Sequence, residues 1–218
     1  MNQKNRTRKK SKRLGLSFFV IALPISFVIS ILILSLVLFF VFKGSYNSWE
    51  SKFENEHLST DFIKVNKDDL KDVETAIEKF KKSTKKTDFI EIKASSFINL
   101  MGVNINENIP SRIKIKKAYV ETRDGFWNIY FKADIKGVTS LWFYFDLNKD
   151  SVESTDLYIT DFKIGDFSVK DWGGDGLIND INSGIKDAMV LLTQKDFTGR
   201  TLKNIELDKE NIVIKGEK

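Results

Sequence analysis

The residues of this 218-residue chain that could carry chemistry are few in kind. Asp171, Asp175, Gly176 and Ile178 fall at positions 1, 5, 6 and 8 of a calcium loop of the helix–loop–helix type, in which alternate oxygen ligands converge on a hard cation. Gly173 stands at position 3 and Asn182 at position 12, so one ligand and the bidentate glutamate are missing. A glycine-rich turn opening a helix accounts for the segment, and no metal site is assigned. Asp146, Asn148 and Asp150 repeat the alternation without the central glycine and read as a hairpin turn.

Catalytic sets are equally sparse. The one histidine, His57, precedes the folded domain, which leaves no histidine-based triad there. The chain has no cysteine, which removes disulfides, thiolate metal sites, a cysteine nucleophile and a lipid-modified cysteine anchor. Gly173-Gly174-Asp175-Gly176 puts an acid where a phosphate loop needs Lys-Ser/Thr. Carboxylate pairs such as Glu121/Asp124 and Asp171/Asp175 are what 30 acidic residues supply by number alone. No catalytic residue and no cofactor is expected, and the chain is read as not an enzyme.

The feature that asks for an explanation is apolar. Leu141-Trp142-Phe143-Tyr144-Phe145 is hydrophobic on both faces of a strand, where its neighbours alternate. One face packs on the domain; the long helix after residue 176, a protein partner or an acyl chain must cover the other. Burial inside the domain is one expectation; the other is an interface or a ligand groove lined by Trp127, Trp142, Tyr144, Ile181, Ile185 and Met189.

Those residues need elements to hold them. Asn66 reads as a helix N-cap, with Asp69 three residues on and a Val65/Leu70 staple. Leu70, Val73, Ile77 and Phe80 then form one stripe, to about Lys82. The basic end, Lys79 to Lys86, is a recognition patch or a solvated terminus whose cations suit the helix dipole. Phe89 to Ile92 alternates like a strand, and Ala94 to Met101 gives one or two helical turns stopped by Gly102. From Arg112 the period becomes two: a strand to about Thr122 with a bulge near Lys117, an Asp124-Gly125 turn, a strand burying Trp127, Ile129, Phe131, Ala133 and Ile135, the aromatic strand, and a fourth strand over Asp156 to Ile164. A second long helix carries Leu177, Ile181, Ile185, Ala188 and Leu192, and the strands Leu202 to Leu207 and Ile212 to Ile214 follow. The fold class is α+β, a curled and mainly antiparallel sheet packed on two helices.

Charge and hydropathy set the topology. Residues 14–42 are 29 long, uncharged, and 23 of them apolar, which exceeds the roughly 20 needed to cross a bilayer as a helix. Pro24 bends that span. The run is too long for a cleaved signal peptide. Lys4, Arg6, Arg8, Lys9, Lys10, Lys12 and Arg13 precede the span, and Lys43 alone follows it closely. The positive-inside rule then places the N-terminus in the cytoplasm and the bulk of the chain outside, with Lys9, Lys10, Lys12 and Arg13 the nearest topogenic charges. Seven of the 35 basic residues lie in this tail, leaving 28 against 30 acids, so the formal charge of +5 is no nucleic-acid footprint. The organisation expected is a cytoplasmic basic tail 1–13, a transmembrane helix 14–42, a stalk 43–64 and an extracytoplasmic α+β domain 65–218. Within the stalk, Trp49 and Phe53 sit at the membrane interface or pack on the domain.

The stretch Asp156-Leu-Tyr-Ile-Thr-Asp-Phe-Lys-Ile-Gly165-Asp-Phe-Ser-Val169, the helix after it, and Leu202 to Gly216 resemble the end of YpmS-like proteins, small bacterial proteins with one N-terminal span. The element order is similar to tubular lipid-binding (TULIP-like) domains, in which a long helix lies in a curled sheet and an acyl chain occupies the space between. The Asp171 to Gly176 connection departs from the proline-containing one of that pattern. The resemblance implies a lipid or similar apolar ligand beside the membrane bilayer and no catalytic residue. A non-catalytic accessory subunit docking on an envelope protein partner is the other expectation.

Overall fold

A computed structural model describes residues 43–218 apart from 58, 110, 138, 152–153 and 194–199. The basic tail and the apolar run 14–42 lie outside the described residues, and no helix among the described residues is long and apolar enough to cross a membrane.

The domain is α+β, and its described residues form two antiparallel sheets and four α-helices. Helix α1 covers residues 43–56. Strand β1 (Ile63–Lys64) leads through a 3-10 turn (Lys67–Leu70) into α2 (Lys71–Lys82), followed by β2 (Thr87–Lys93) and α3 (Ala94–Asn108). The meander β3 (Ile113–Arg123), β4 (Phe126–Ile135) and β5 (Thr139–Lys149) comes next, then the short β6 (Leu157–Tyr158), β7 (Phe162–Ile164) and β8 (Phe167–Ser168). Helix α4 (Asp175–Thr193) precedes β9 (Thr201–Leu207) and β10 (Asn211–Glu217). The larger sheet runs β1-β3-β4-β5-β7-β8, with β6 also on β5; the smaller is β2-β10-β9.

Alternation decides the core. On β4, Trp127, Ile129, Phe131, Ala133 and Ile135 are all buried, and each faces the same side as its partner on β5: Leu147, Phe145, Phe143, Leu141 and Thr139. This face joins one hydrophobic cluster with Phe97, Ile98 and Met101 of α3, Val73, Ile77 and Phe80 of α2, Ile178, Ile181 and Ile185 of α4, and the inner face of the small sheet. The bulge near Lys117 is present as a register shift between Ile115 and Lys117, and Gly125 turns the hairpin at φ 85°.

Several elements differ from their sequence expectation. The expected helix from Asn66 opens as a 3-10 turn: the Asn66 side chain caps it by accepting from the Asp68 N–H, and the α-helix starts at Lys71. Helix α3 does not stop at Gly102 but runs to Asn108. Glycine is there for closeness: a Cβ at 102 would lie 2.7 Å from a Val65 methyl carbon. The fourth strand is broken between β6 and β7, where side chains take the backbone groups. Asn182 of α4 bonds both N–H and C=O of Ile159 at 2.8 Å, and Asp146 accepts from the N–H groups of Thr160 and Asp161. Two sheets replace the single one because β2 pairs with β10, more than a hundred residues later, instead of joining the meander. Four helices stand where two were expected, α1 and the full α3 being the additions.

One buried cation locks the ends of these elements together. Arg200 is fully buried and its guanidinium donates to the carbonyls of Phe80, Ser83, Lys85 and Gly216, over the Phe80 ring. The C-terminal end of α2, where carbonyls lack helical partners and the dipole is negative, thus holds this cation.

Candidate functional site

The reverse face of the large sheet is the place where the aromatic strand meets a partner, and the partner is the chain itself. Trp142 and Tyr144 point away from the core, on the side shared by Lys132 and Tyr130 of β4 and Tyr119 of β3. Helix α1 lies across them. Phe53, 7% exposed, has its ring 5.2 Å from Trp142, 4.9 Å from Tyr130 and 5.7 Å from Tyr119. Trp49 stacks on Phe53 at 5.0 Å, and His57 sits 4.2 Å from Tyr119. Phe62 closes the group beside Trp142. The helix therefore crosses β5, β4 and β3 in turn.

Polar contacts fix its position. The Lys132 ammonium donates to Glu50 at 2.9 Å and Glu54 at 2.7 Å and lies 5.6 Å from the Trp142 ring centre. The Trp142 indole N–H donates to the same Glu54 oxygen at 3.1 Å. The backbone N–H of Trp142 donates to the Tyr46 hydroxyl at 2.7 Å. Gly165, at φ 63°, allows the approach on the other side: a Cβ there would lie 3.0 Å from the Tyr46 ring. Burial acts to raise the Glu54 pKa, but bonds from Lys132 and Trp142 outweigh it and hold the carboxyl below its ordinary value. Burial acts to lower that of Lys132, and its two glutamates reverse this and raise it. Burial pushes the Tyr46 hydroxyl well up, so it stays protonated.

The six residues expected to line a groove are not brought together. Trp127, Ile181 and Ile185 belong to the core cluster; Trp127 packs edge-on to Phe97 and donates its indole N–H to the Asp208 carbonyl at 2.8 Å. Trp142 and Tyr144 are on the opposite side of the sheet. The side chain of Met189 and all of Lys9, Lys10, Lys12 and Arg13 lie outside the described residues. Tyr144 is half-buried, its hydroxyl donating to Asn128 at 3.0 Å and its pKa pushed by burial to about 12. The segment 43–64, expected as a stalk, is part of the domain, because Tyr46 and Phe53 bury on the sheet. Tyr46, Glu50 and Glu54 are the residues the sequence reading passed over. Their signal was the i, i+3, i+7 spacing of Tyr46, Trp49 and Phe53.

The other acidic sites are structural. Asp146, 8% exposed, accepts from the N–H groups of Thr160 and Asp161 and from Asn148 at 2.8 Å, and from the Thr160 hydroxyl. Burial raises its pKa, and these bonds outweigh it to leave the carboxyl below its usual value. Among the described residues no cluster of three or more His, Cys, Asp or Glu could hold a metal. Gly173 and Gly174 form the tight entry to α4, with Gly174 donating to the Val169 carbonyl at 3.0 Å. The described concavities are open: one of about 840 Å³ lines the Lys71 to Lys85 side of α2, and one of about 390 Å³ lies between α2 and α3. Lysines and glutamates rim both.

No family model matches the chain, and no curated protein or solved structure matches it.

Proposed function

We propose that this chain is a single-pass membrane protein, N-terminus cytoplasmic, whose α+β domain stands outside the cell membrane as a non-catalytic interaction module. The observation that carries the reading is helix α1. Its described residues, 43–56, follow the uncharged 29-residue run in sequence and are bound across the sheet by Tyr46, Phe53 and the Lys132–Glu50–Glu54 group. In this reading the domain is held close to the bilayer, which suits presenting a surface to a neighbour. The lipid-binding expectation asks the aromatic strand to keep a face for an acyl chain, and the chain's own helix occupies the Trp142 face.

The absence of native cysteine makes the test clean. Single cysteines replace Ser11 and Asp166, and intact cells are treated with a membrane-impermeant maleimide. Labelling at 166 and protection at 11 is expected; the reverse pattern sinks the topology. In mild detergent the full chain should migrate in an assembly larger than its own 25.1 kDa plus micelle. Migration as a lone chain carrying stoichiometric extractable lipid would overturn the interaction reading in favour of a ligand carrier.

A further inference from the structure

The small sheet has an edge that no strand among the described residues bonds. Strand β2 has one strand neighbour, β10, and three backbone bonds fix which way its groups point. Ala94 donates to the Glu210 carbonyl, Lys218 donates to the Lys86 carbonyl, and Asp208 donates to the Asn211 carbonyl. On β10 the odd-numbered residues therefore face β9 and the even-numbered ones face β2. By the antiparallel register, Asp88, Ile90 and Ile92 bond β10, and Thr87, Phe89, Glu91 and Lys93 turn their N–H and C=O groups outward. Among the described residues only the Phe89 N–H has a substitute partner, the adjacent Asp88 carboxylate at 3.0 Å.

Other edges are short or engaged. Strands β1, β6 and β8 are two residues each; β9 is bonded at Ile205 by the Ser154 carbonyl; β3 is bonded by β1, by Val65 and by the Asn106 side chain. Strand β2 is seven residues long, has no proline and no register shift against β10, so it lacks two usual protections of an edge. It also carries Phe89, 59% exposed and the one large hydrophobic exposed among the described residues.

We infer that β2 is a docking edge for an extended segment of another protein, which adds a fourth strand to the small sheet and covers Phe89. Charge selects that occupant over a second copy. Lys85 and Lys86 stand at one end of the strand and Lys93 at the other, with Asp88 and Glu91 between. Antiparallel self-pairing sets the basic end of each copy against Lys93 of the other, and parallel pairing sets each charge beside itself. The fitting partner is an extended segment with an apolar residue opposite Phe89 and acids at its two ends.

The inference rests on the interaction-module reading and can fail separately from it. A photo-crosslinking phenylalanine analogue replaces Thr87, Phe89 or Glu91 in the full chain in its own membranes, with Asp180 on α4 as control, and adducts are mapped by mass spectrometry. The expected result is one partner segment with acids at both ends, its crosslinked positions advancing by two as the probe moves from 87 to 89 to 91. E91P removes an outward N–H and no ladder bond, so it should keep its melting temperature and lower the adduct yield at 89 at least tenfold, whereas E91Q should not. If E91P unfolds, K93E decides, with a several-fold lower yield expected. Adducts of twice the chain's mass, adducts scattered without the two-residue step, or yields unchanged in these variants overturn the docking edge. A large assembly without adducts sinks the edge alone; a lone chain sinks the module reading too.

Discussion

Asp146 and Glu54 do opposite jobs with the same chemistry. Asp146 substitutes for a strand, gathering the N–H groups of Thr160 and Asp161 that the break between β6 and β7 leaves without ladder partners. Glu54 fastens a helix by accepting from both an ammonium and an indole. Each carboxyl has a folded pKa below its ordinary value of 3.8 or 4.5. A depressed folded pKa contributes stability that is fully present above the unfolded value and disappears as pH falls through the folded one. The urea midpoint of residues 43–218 should therefore be flat with respect to these two groups from pH 7 to about 5 and fall below about pH 4.5, with a shallower fall in the double variant E54Q/D146N. An equally steep fall in that variant would assign the acid sensitivity elsewhere.

Helix α1 is a structural element of the sheet it crosses. Phe53→Ala should cost about 3 to 5 kcal/mol in urea unfolding, the range for a large buried aromatic, while Lys52→Ala on the solvent side should stay within about 0.5 kcal/mol. A Phe53→Ala effect as small as that of Lys52→Ala would return the segment to a stalk. What made α1 hard to read is the separation of its partners. Its stripe is three aromatic residues among charges, and the groups that bury it, Lys132, Trp142 and Gly165, come 78 to about 120 residues later. Local pattern was enough where the partner was adjacent: the alternation of β4, the Asp124-Gly125 turn and the Ile181 and Ile185 positions of the α4 stripe stand in the structure where their periodicity put them. It failed where a side chain from elsewhere took over a backbone group, as at Ile159 and Thr160, or where a glycine that reads as a stop served close packing, as at Gly102.

At the scale of the whole molecule, the aromatic strand explains where the domain begins. Its two apolar faces pack in two places, the core shared with α2, α3 and α4 and a second cluster under α1 that reaches the core through Tyr46. A boundary drawn at residue 65 strips the second cluster of Tyr46, Trp49, Phe53 and Phe62 and opens Trp142, Tyr130 and Tyr119 to water. The fragment 43–218 should be monomeric with one cooperative thermal transition, and the fragment 65–218 should aggregate or bind a hydrophobic dye on size-exclusion and fluorescence assays. Equal behaviour of the two would show that the reverse face needs no cover. The candidate site was legible in part: the sequence marked the strand whose second face wanted a partner, but the partner was α1, read as a stalk.

The bond from Trp142 to Tyr46 spans 96 residues, and it orders the life of the chain in time. A ribosome releases α1 before any strand it will cover, so the Tyr46-Trp49-Phe53 stripe has to wait for β5 and the β7–β8 turn to be made. While it waits, the three rings have no sheet to pack on. The Trp142 face of the sheet is thus covered by a segment made before it, and α1 can dock only once β5 and the Gly165 turn are in place.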